Sequence, residues 1–219
     1  MASIVNKNPS VVLVHGAYAD GSSWSQVIER LQGAGVAVTA VQNPLTSLAD
    51  DVARTHHILA LQPGPVILAG HSFAGTVITQ AGIHPAVAGL VYIAARAPDA
   101  GEDHQALAGR FPVSPASAGL IYADGHGALT EHAFLNDFAN DRTTVAAWRS
   151  RPTWYAISRQ DRTIAPDLQR FLAQRMHATT TEIDAGHLSI VTHPDEVARL
   201  IVAAVRAVAQ NPLAYTTRN

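Results

Sequence analysis

Six short runs with strand character, separated by stretches of helical spacing, constrain this chain more than any other feature. They are VVLVH (11–15), VAVTAV (36–41), PVILAG (65–70), GLVYIAA (89–95), TWYAIS (153–158) and TTTEID (179–184). The first four are almost continuously apolar and rich in Val and Ile. A strand with one wet face alternates; a strand that does not alternate is covered on both faces, as in a parallel sheet between helices.

The intervening segments supply the helices. SSWSQVIERLQGAG places Trp24, Val27, Ile28 and Leu31 at spacings of three and four, then stops at Gly33 and Gly35. SLADDVARTHHILAL repeats Leu48, Val52, Thr55 and Leu59. PDEVARLIVAAVRAVAQ opens on Pro194, Asp195 and Glu196, residues that suit a first helical turn, and carries an apolar stripe from Val197 to Val208. Strand–helix alternation predicts an α/β fold: a mainly parallel six-stranded sheet with helices on both faces and right-handed crossovers. Sites in such sheets lie beyond the carboxyl ends of the strands. The alternation breaks once, over residues 96–152, where Gly, Pro and aromatics are scattered without a strand pattern. So long an insertion reads as a short helical lid over a site.

At 219 residues, with 47% hydrophobic and 15% charged residues, the chain suits one domain, 1–219, with a sizeable core. The net charge is −2 and Lys7 is the sole lysine, so no basic patch points to nucleic acid or to an anionic membrane. There is no cysteine, which excludes disulfides, thiolate metal sites and cysteine nucleophiles. MASIVNKNPS lacks a charged-then-apolar leader, and no apolar stretch reaches membrane-spanning length. A cytoplasmic protein is expected, and the Arg-rich, Lys-poor, Ala-rich composition fits a GC-rich bacterial gene. Oligomeric state is left open, a homodimer included.

The third run ends in VILAGHSFAGTVI, with Ser72 at the corner between strand and helix. Such a serine is either the N-cap of the following helix or a nucleophile held out of the sheet. A serine hydroxyl attacks carbonyl carbon only with a base in hydrogen-bond reach, and small neighbours let the strained corner pack. Gly70 fits G-x-S-x-G; Ala74 stands where the pattern has its second glycine, and Gly75 follows. TWYAIS leads into RQDRTIAP and places Asp161 past one strand end; TTTEID leads into AGHLSIVTHP and places His187 past the next. The order Ser, Asp, His, each beyond a strand, makes Ser72 the nucleophile, His187 the base and Asp161 the group that fixes the imidazole.

Each residue has a plainer reading. With eleven histidines, any one is by default a surface or satisfied core residue. His71 reads as structural, His56 and His57 fall mid-helix, and His193 belongs to a helix start. Asp161 also suits a loop cap, and Asp137 and Asp141 are rival acids within the lid. An oxyanion hole needs two converging backbone N–H groups. One is expected from Phe73, after the serine; the other from Ala17, in the glycine turn of VVLVHGAYADG. Tyr18, Phe111 and Trp148 are expected either to line the pocket or to close the lid against the core. No metal or cofactor is expected, since no His or carboxylate pair has ligand spacing at a strand end.

The segments VVLVHGAYADGSSW, VTAVQNPLTSLADD, GHSFAG, LVYIAARAPDAGE, RPTWYAISRQDRTIAP and AGHLSIVTHPDEVARLI resemble the α/β-hydrolase superfamily. Within it they look most like the branch of plant methyl-ester hydrolases, hydroxynitrile lyases and bacterial esterase-like relatives. The resemblance covers most of the chain outside the lid. It implies the α/β-hydrolase fold, a triad of Ser72, Asp161 and His187, and oxyanion donors at Ala17 and Phe73. It also implies esterase over lyase: the plant lyases have threonine at the position of Gly16 and lysine at that of Leu188. The expected activity is hydrolysis of small carboxylic esters without a cofactor. The alternatives are a cofactor-free lyase in the same pocket and a hydrolase-like small-molecule receptor. The lid between Asp141 and Trp148 is shorter than in many bacterial relatives.

Overall fold

The computed structural model describes residues 8–112 and 142–211. Six strands form one sheet: β1 (Ser10–Val14), β2 (Val38–Val41), β3 (Val66–His71), β4 (Val87–Ile93), β5 (Thr153–Ser158) and β6 (Thr179–Ile183). Their order across the sheet is β2-β1-β3-β4-β5-β6, and every neighbouring pair is parallel. The six runs read from sequence are therefore the six strands, shifted by a residue or two at their ends.

Apolar runs without alternation in type still alternate in direction, because successive side chains leave a strand on opposite faces. Val12, Val14, Leu68, Leu90, Tyr92, Tyr155 and Ile157 enter one core. Val11, Leu13, Ile67, Ala69, Val91, Ile93, Trp154 and Ala156 enter the other. The first core is closed by α2 (Leu48–Ala60), α3 (Ala74–Ala81) and α5 (Pro166–Arg175). The second is closed by α1 (Ser25–Gly33), the short α6 (Ser189–Thr192) and the long C-terminal helix, α7 (Pro194–Gln210), which bury Val27, Leu31, Ile190, Val197, Leu200, Ile201 and Ala204. Burying a Leu or Val side chain contributes about 1.5–3 kcal/mol, so a sheet lined on both faces is held mainly by these two layers.

Local chemistry sets the helix ends. Asp20 caps a 3-10 turn at Gly21–Trp24 by accepting from the Ser22 N–H at 2.8 Å, so the regular part of α1 begins later than the apolar spacing alone suggests. Ser47 caps α2 by accepting from the Asp50 N–H at 3.1 Å. Pro194 occupies the first turn of α7, with Asp195 and Glu196 beside it at the positive end of the helix dipole. β6 is an edge strand whose three threonines are exposed or half-buried, which is why it lacks the apolar signature of the central four.

Of the insertion expected at 96–152, the two stems are described. They contain α4 (His104–Ala108) and a 3-10 turn at Ala147–Arg149, and no strand among the described residues. The stems are stitched together by Gly101 N–H to Thr143 C=O at 2.7 Å and Thr143 Oγ1 to Asp99 C=O at 3.0 Å. Asp137 and Asp141, and most of the expected lid, lie outside the described residues. No described helix is long and apolar enough to cross a membrane.

Candidate active site

The carboxyl ends of β1, β3, β5 and β6 bring together residues far apart in the chain. Ser72 follows β3 directly, with φ of +56°. A non-glycine residue in this region costs roughly 1–3 kcal/mol and persists only where its surroundings enforce it. Here the enforcement is backbone hydrogen bonding: Ser72 N–H donates to Ile93 C=O at 3.2 Å, and Ser72 C=O accepts from Gly75 N–H and Arg96 N–H, each at 3.1 Å. Ser72 is not the helix cap. That position belongs to Phe73, which makes no side-chain capping bond.

Three glycines permit the packing around this corner; a Cβ on Gly70 would lie 2.9 Å from Ala74 O. A Cβ on Gly16 would lie 2.9 Å from Ser72 Cβ, so the turn after β1 presses against the serine only because residue 16 has no side chain. A Cβ on Gly75 would lie 1.9 Å from Arg96 O, an impossible approach. After the serine, the corner's steric demand for glycine thus falls on position 75 rather than 74. Ala74, fully buried as the first residue of α3, carries its methyl without disturbing the turn.

His187 bridges the other two groups. Its Nε2 lies 2.8 Å from Ser72 Oγ, and its Nδ1 lies 2.8 Å from Asp161 Oδ2. With Nδ1–H donating to the carboxylate, Nε2 is left to accept from the serine hydroxyl. Asp161 is 5% exposed and doubly anchored. Oδ1 accepts from the N–H groups of Thr163 and Ile164 at 2.7 and 3.0 Å, which makes Asp161 the loop cap as well as the imidazole's partner. Oδ2 also accepts from Gln169 Nε2 at 2.8 Å.

Gln169 is the residue that motif reading missed. It is fully buried on α5, and it donates to Ile164 C=O at 2.8 Å and accepts from Ser158 N–H at 3.0 Å besides holding Asp161. Its signal was present: a glutamine one turn from Leu172 and beside Leu168, on the stripe that faces the core. A polar residue there needs a buried partner.

The turn after β1 is fixed by His15. Its Nδ1–H donates to Gly16 C=O at 2.9 Å, and its Nε2 accepts from Asn43 N–H at 3.0 Å, tying this turn to the one after β2. No peptide bond among the described residues is cis, so the Ala17 N–H points opposite to the anchored Gly16 carbonyl. Phe73, the other expected donor, is 3% exposed directly after the serine.

The three aromatics separate. Tyr18 is 55% exposed on the turn after β1, with φ of +59°. Phe111 packs on Phe171, ring centroids 5.5 Å apart, at the margin of the described residues. Trp148 is buried, donates Nε1–H to Pro98 C=O at 3.0 Å, and has the guanidinium groups of Arg149 and Arg175 at 4.8 and 5.5 Å from its ring. It packs against the core between the stems of the insertion. Among the described residues no group of three His, Asp or Glu side chains is arranged to hold a metal ion.

The sequence model of the alpha/beta hydrolase family matches residues 11–200. The chain is an α/β-hydrolase. Solved structures agree on the fold. A pyrethroid hydrolase from Sphingobium faniae aligns with a TM-score of 0.75 at 20% identity, covering 92% of this α/β-hydrolase and 99% of that chain. Polyneuridine aldehyde esterase aligns at 0.73 and 19% identity, covering 90% and 99%. The Arabidopsis methylesterase MES16 aligns at 0.69 and 18% identity, covering 91% and 99%. No curated protein matches the sequence.

Proposed function

We propose that this α/β-hydrolase is a serine esterase acting on small carboxylic esters. The observation that carries the reading is the continuous chain from Ser72 Oγ through the His187 ring to Asp161 Oδ2, each link 2.8 Å long. In the proposed cycle Ser72 Oγ attacks the ester carbonyl carbon while His187 Nε2 takes its proton. The Ala17 and Phe73 N–H groups receive the developing oxyanion, a contribution worth about 100–1000-fold in rate per donor. His187 then gives its proton to the departing alcohol. Water, deprotonated by the same nitrogen, cleaves the acyl-enzyme and restores Ser72. Asp161, fixed by Thr163, Ile164 and Gln169, keeps the imidazole oriented and offsets its transient positive charge.

The structural neighbours named as hydrolases and esterases support this class of reaction. Two positions favour ester cleavage over lyase chemistry. Gly16 offers no hydroxyl, and the 2.9 Å approach of Ser72 Cβ leaves no room for a threonine without moving the turn. Leu188, 53% exposed beside His187, offers no cation for a departing cyanide.

Ser72→Ala is expected to lower turnover of p-nitrophenyl acetate by at least about 1000-fold, with the thermal midpoint unchanged within a few degrees. Fluorophosphonate should label the wild type at Ser72 and leave the variant unlabelled. Undiminished turnover by Ser72→Ala would remove the serine from the chemistry and with it the esterase reading.

A further inference from the structure

Two imidazoles meet at this site, and the cycle above uses one. His71, the last residue of β3, is paired with Ile93 of β4 in the middle of the sheet and is 2% exposed. The Trp24 ring packs against it in a T-shaped arrangement, centroids 6.4 Å apart and planes at 89°. Its own ring lies 4.9 Å from the His187 ring, tilted by 46°. Its Nε2 lies 2.9 Å from the backbone carbonyl oxygen of His187. A carbonyl only accepts, so the proton is on Nε2. Nδ1 is buried and has no hydrogen-bond partner among the described residues.

The loop carrying His187 is tied in on either side of that residue: Ala185 C=O accepts from Gln160 N–H at 2.9 Å, and Ile190 is fully buried. The loop leaves the edge strand β6, and a Cβ on Gly186 would meet nothing closer than 3.9 Å. Among the described residues, the partner given to the His187 carbonyl is the His71 ring. We propose that His71 is a positioning residue: a neutral imidazole rooted in the rigid centre of the sheet, which clamps the His187 backbone and braces its ring so that Nε2 stays aimed at Ser72 Oγ. The inference rests on the esterase reading for its kinetic consequences, and on geometry alone for the clamp.

Neutrality belongs to the device. The titratable groups facing His71 are His187 and Asp161. Burial, and after it the neighbouring His187, push the His71 pKa down to about 3. When His187 takes the serine proton, the ring against it therefore carries no opposing charge. A cation at position 71 would raise the energy of the imidazolium intermediate that the reaction has to form.

The test begins with Ser72→Ala, which ties the measured activity to the serine, so that a failed esterase reading is told apart from a failed clamp. His71→Leu keeps bulk and donates nothing. Its kcat is expected to fall about 100-fold with KM within about threefold of wild type, the scale set by an angstrom of misplacement. His71→Gln places an amide N–H at similar reach. It is expected to recover at least about tenfold of that loss and to leave the acid limb of kcat/KM in place. Equal losses in the two variants would reduce His71 to packing, and wild-type activity in His71→Leu would leave nothing to position; either overturns the proposal. Nitrogen-15 spectra of the wild-type protein test the clamp without turnover or folding of a variant. The position-71 imidazole should stay neutral with Nε2 protonated from about pH 5 to 9. A position-71 ring that titrates in that range, or that carries its proton on Nδ1, also overturns it.

Discussion

The two flanks of the site are built on different principles. On the serine side, position is set by backbone crowding: the left-handed Ser72, its three backbone hydrogen bonds, and glycines at 16 and 75 where any side chain would collide. On the acid–base side, position is set by polar side chains reaching across: Gln169 and two N–H groups hold Asp161, Asp161 holds the His187 ring, and His71 holds the His187 carbonyl. A crowded backbone has one arrangement and no intermediate. A hydrogen-bonded flank loosens by degrees. The serine flank should therefore fail through loss of the fold, and the acid–base flank through loss of rate.

The largest expected effect tests the crowded flank. Gly75→Ala puts a methyl carbon 1.9 Å from Arg96 O. The cost should exceed about 4 kcal/mol, and the variant should be recovered as unfolded or aggregated chain by circular dichroism. A folded Gly75→Ala with wild-type melting would show that the β4 terminus gives way, and the contrast would break there. A smaller effect tests the other flank. Gln169→Leu removes one of the bonds to Asp161 Oδ2 and strands the Ser158 N–H. It should stay folded, lose about 2–3 kcal/mol in denaturant melts, and lower kcat about 10- to 100-fold with KM little changed. Unfolding on the scale of Gly75→Ala would erase the distinction.

The smallest effect comes from beside the serine flank. Asp51 is fully buried; Oδ1 accepts from Leu45 N–H at 2.9 Å, and Oδ2 has no partner among the described residues. Burial pushes its pKa up to about 6 from 3.8. The folded state thus holds its proton more tightly than the unfolded chain does, and this stability is full below pH 3.8 and lost as pH rises through about 6. His71 acts in the opposite sense, its contribution being lost as pH falls from 6.5 toward 3. Asp51→Asn should leave melting unchanged near pH 4 and raise it by roughly 5 °C near pH 8. A constant difference at both pH values would mean that this carboxyl does not titrate in the fold.

The same contrast explains how far the sequence could be read. The central strands announce themselves because Val, Ile and Leu must fill both faces, and the C-terminal helix because its proline, acids and apolar stripe are all local. Ser72, Asp161 and His187 are legible as a trio because each follows a strand in a fixed order. What stayed hidden depends on contacts between distant backbones. Position 74 drew attention as a departure from motif, yet the close approach is to Arg96, more than twenty residues on, and falls at Gly75. His71 read as structural because nothing in sequence brings it to a carbonyl at position 187. For Trp148 the sequence leaves pocket wall and lid closure both open, because exposure cannot be told from residue type. Gln169 was readable in principle, as a polar interruption of a buried stripe.

The parallel sheet also makes this site a late arrival in biosynthesis. Its hydroxyl leaves the ribosome in the first third of the chain, but the carboxylate and the imidazole belong to the last two strands, on the far flank of the sheet. A nascent or partly refolded molecule holds an inert alcohol. On the proposed mechanism, ester turnover should begin only when the final crossover has docked, so the appearance of activity after dilution from denaturant would report the closing step of assembly rather than early collapse.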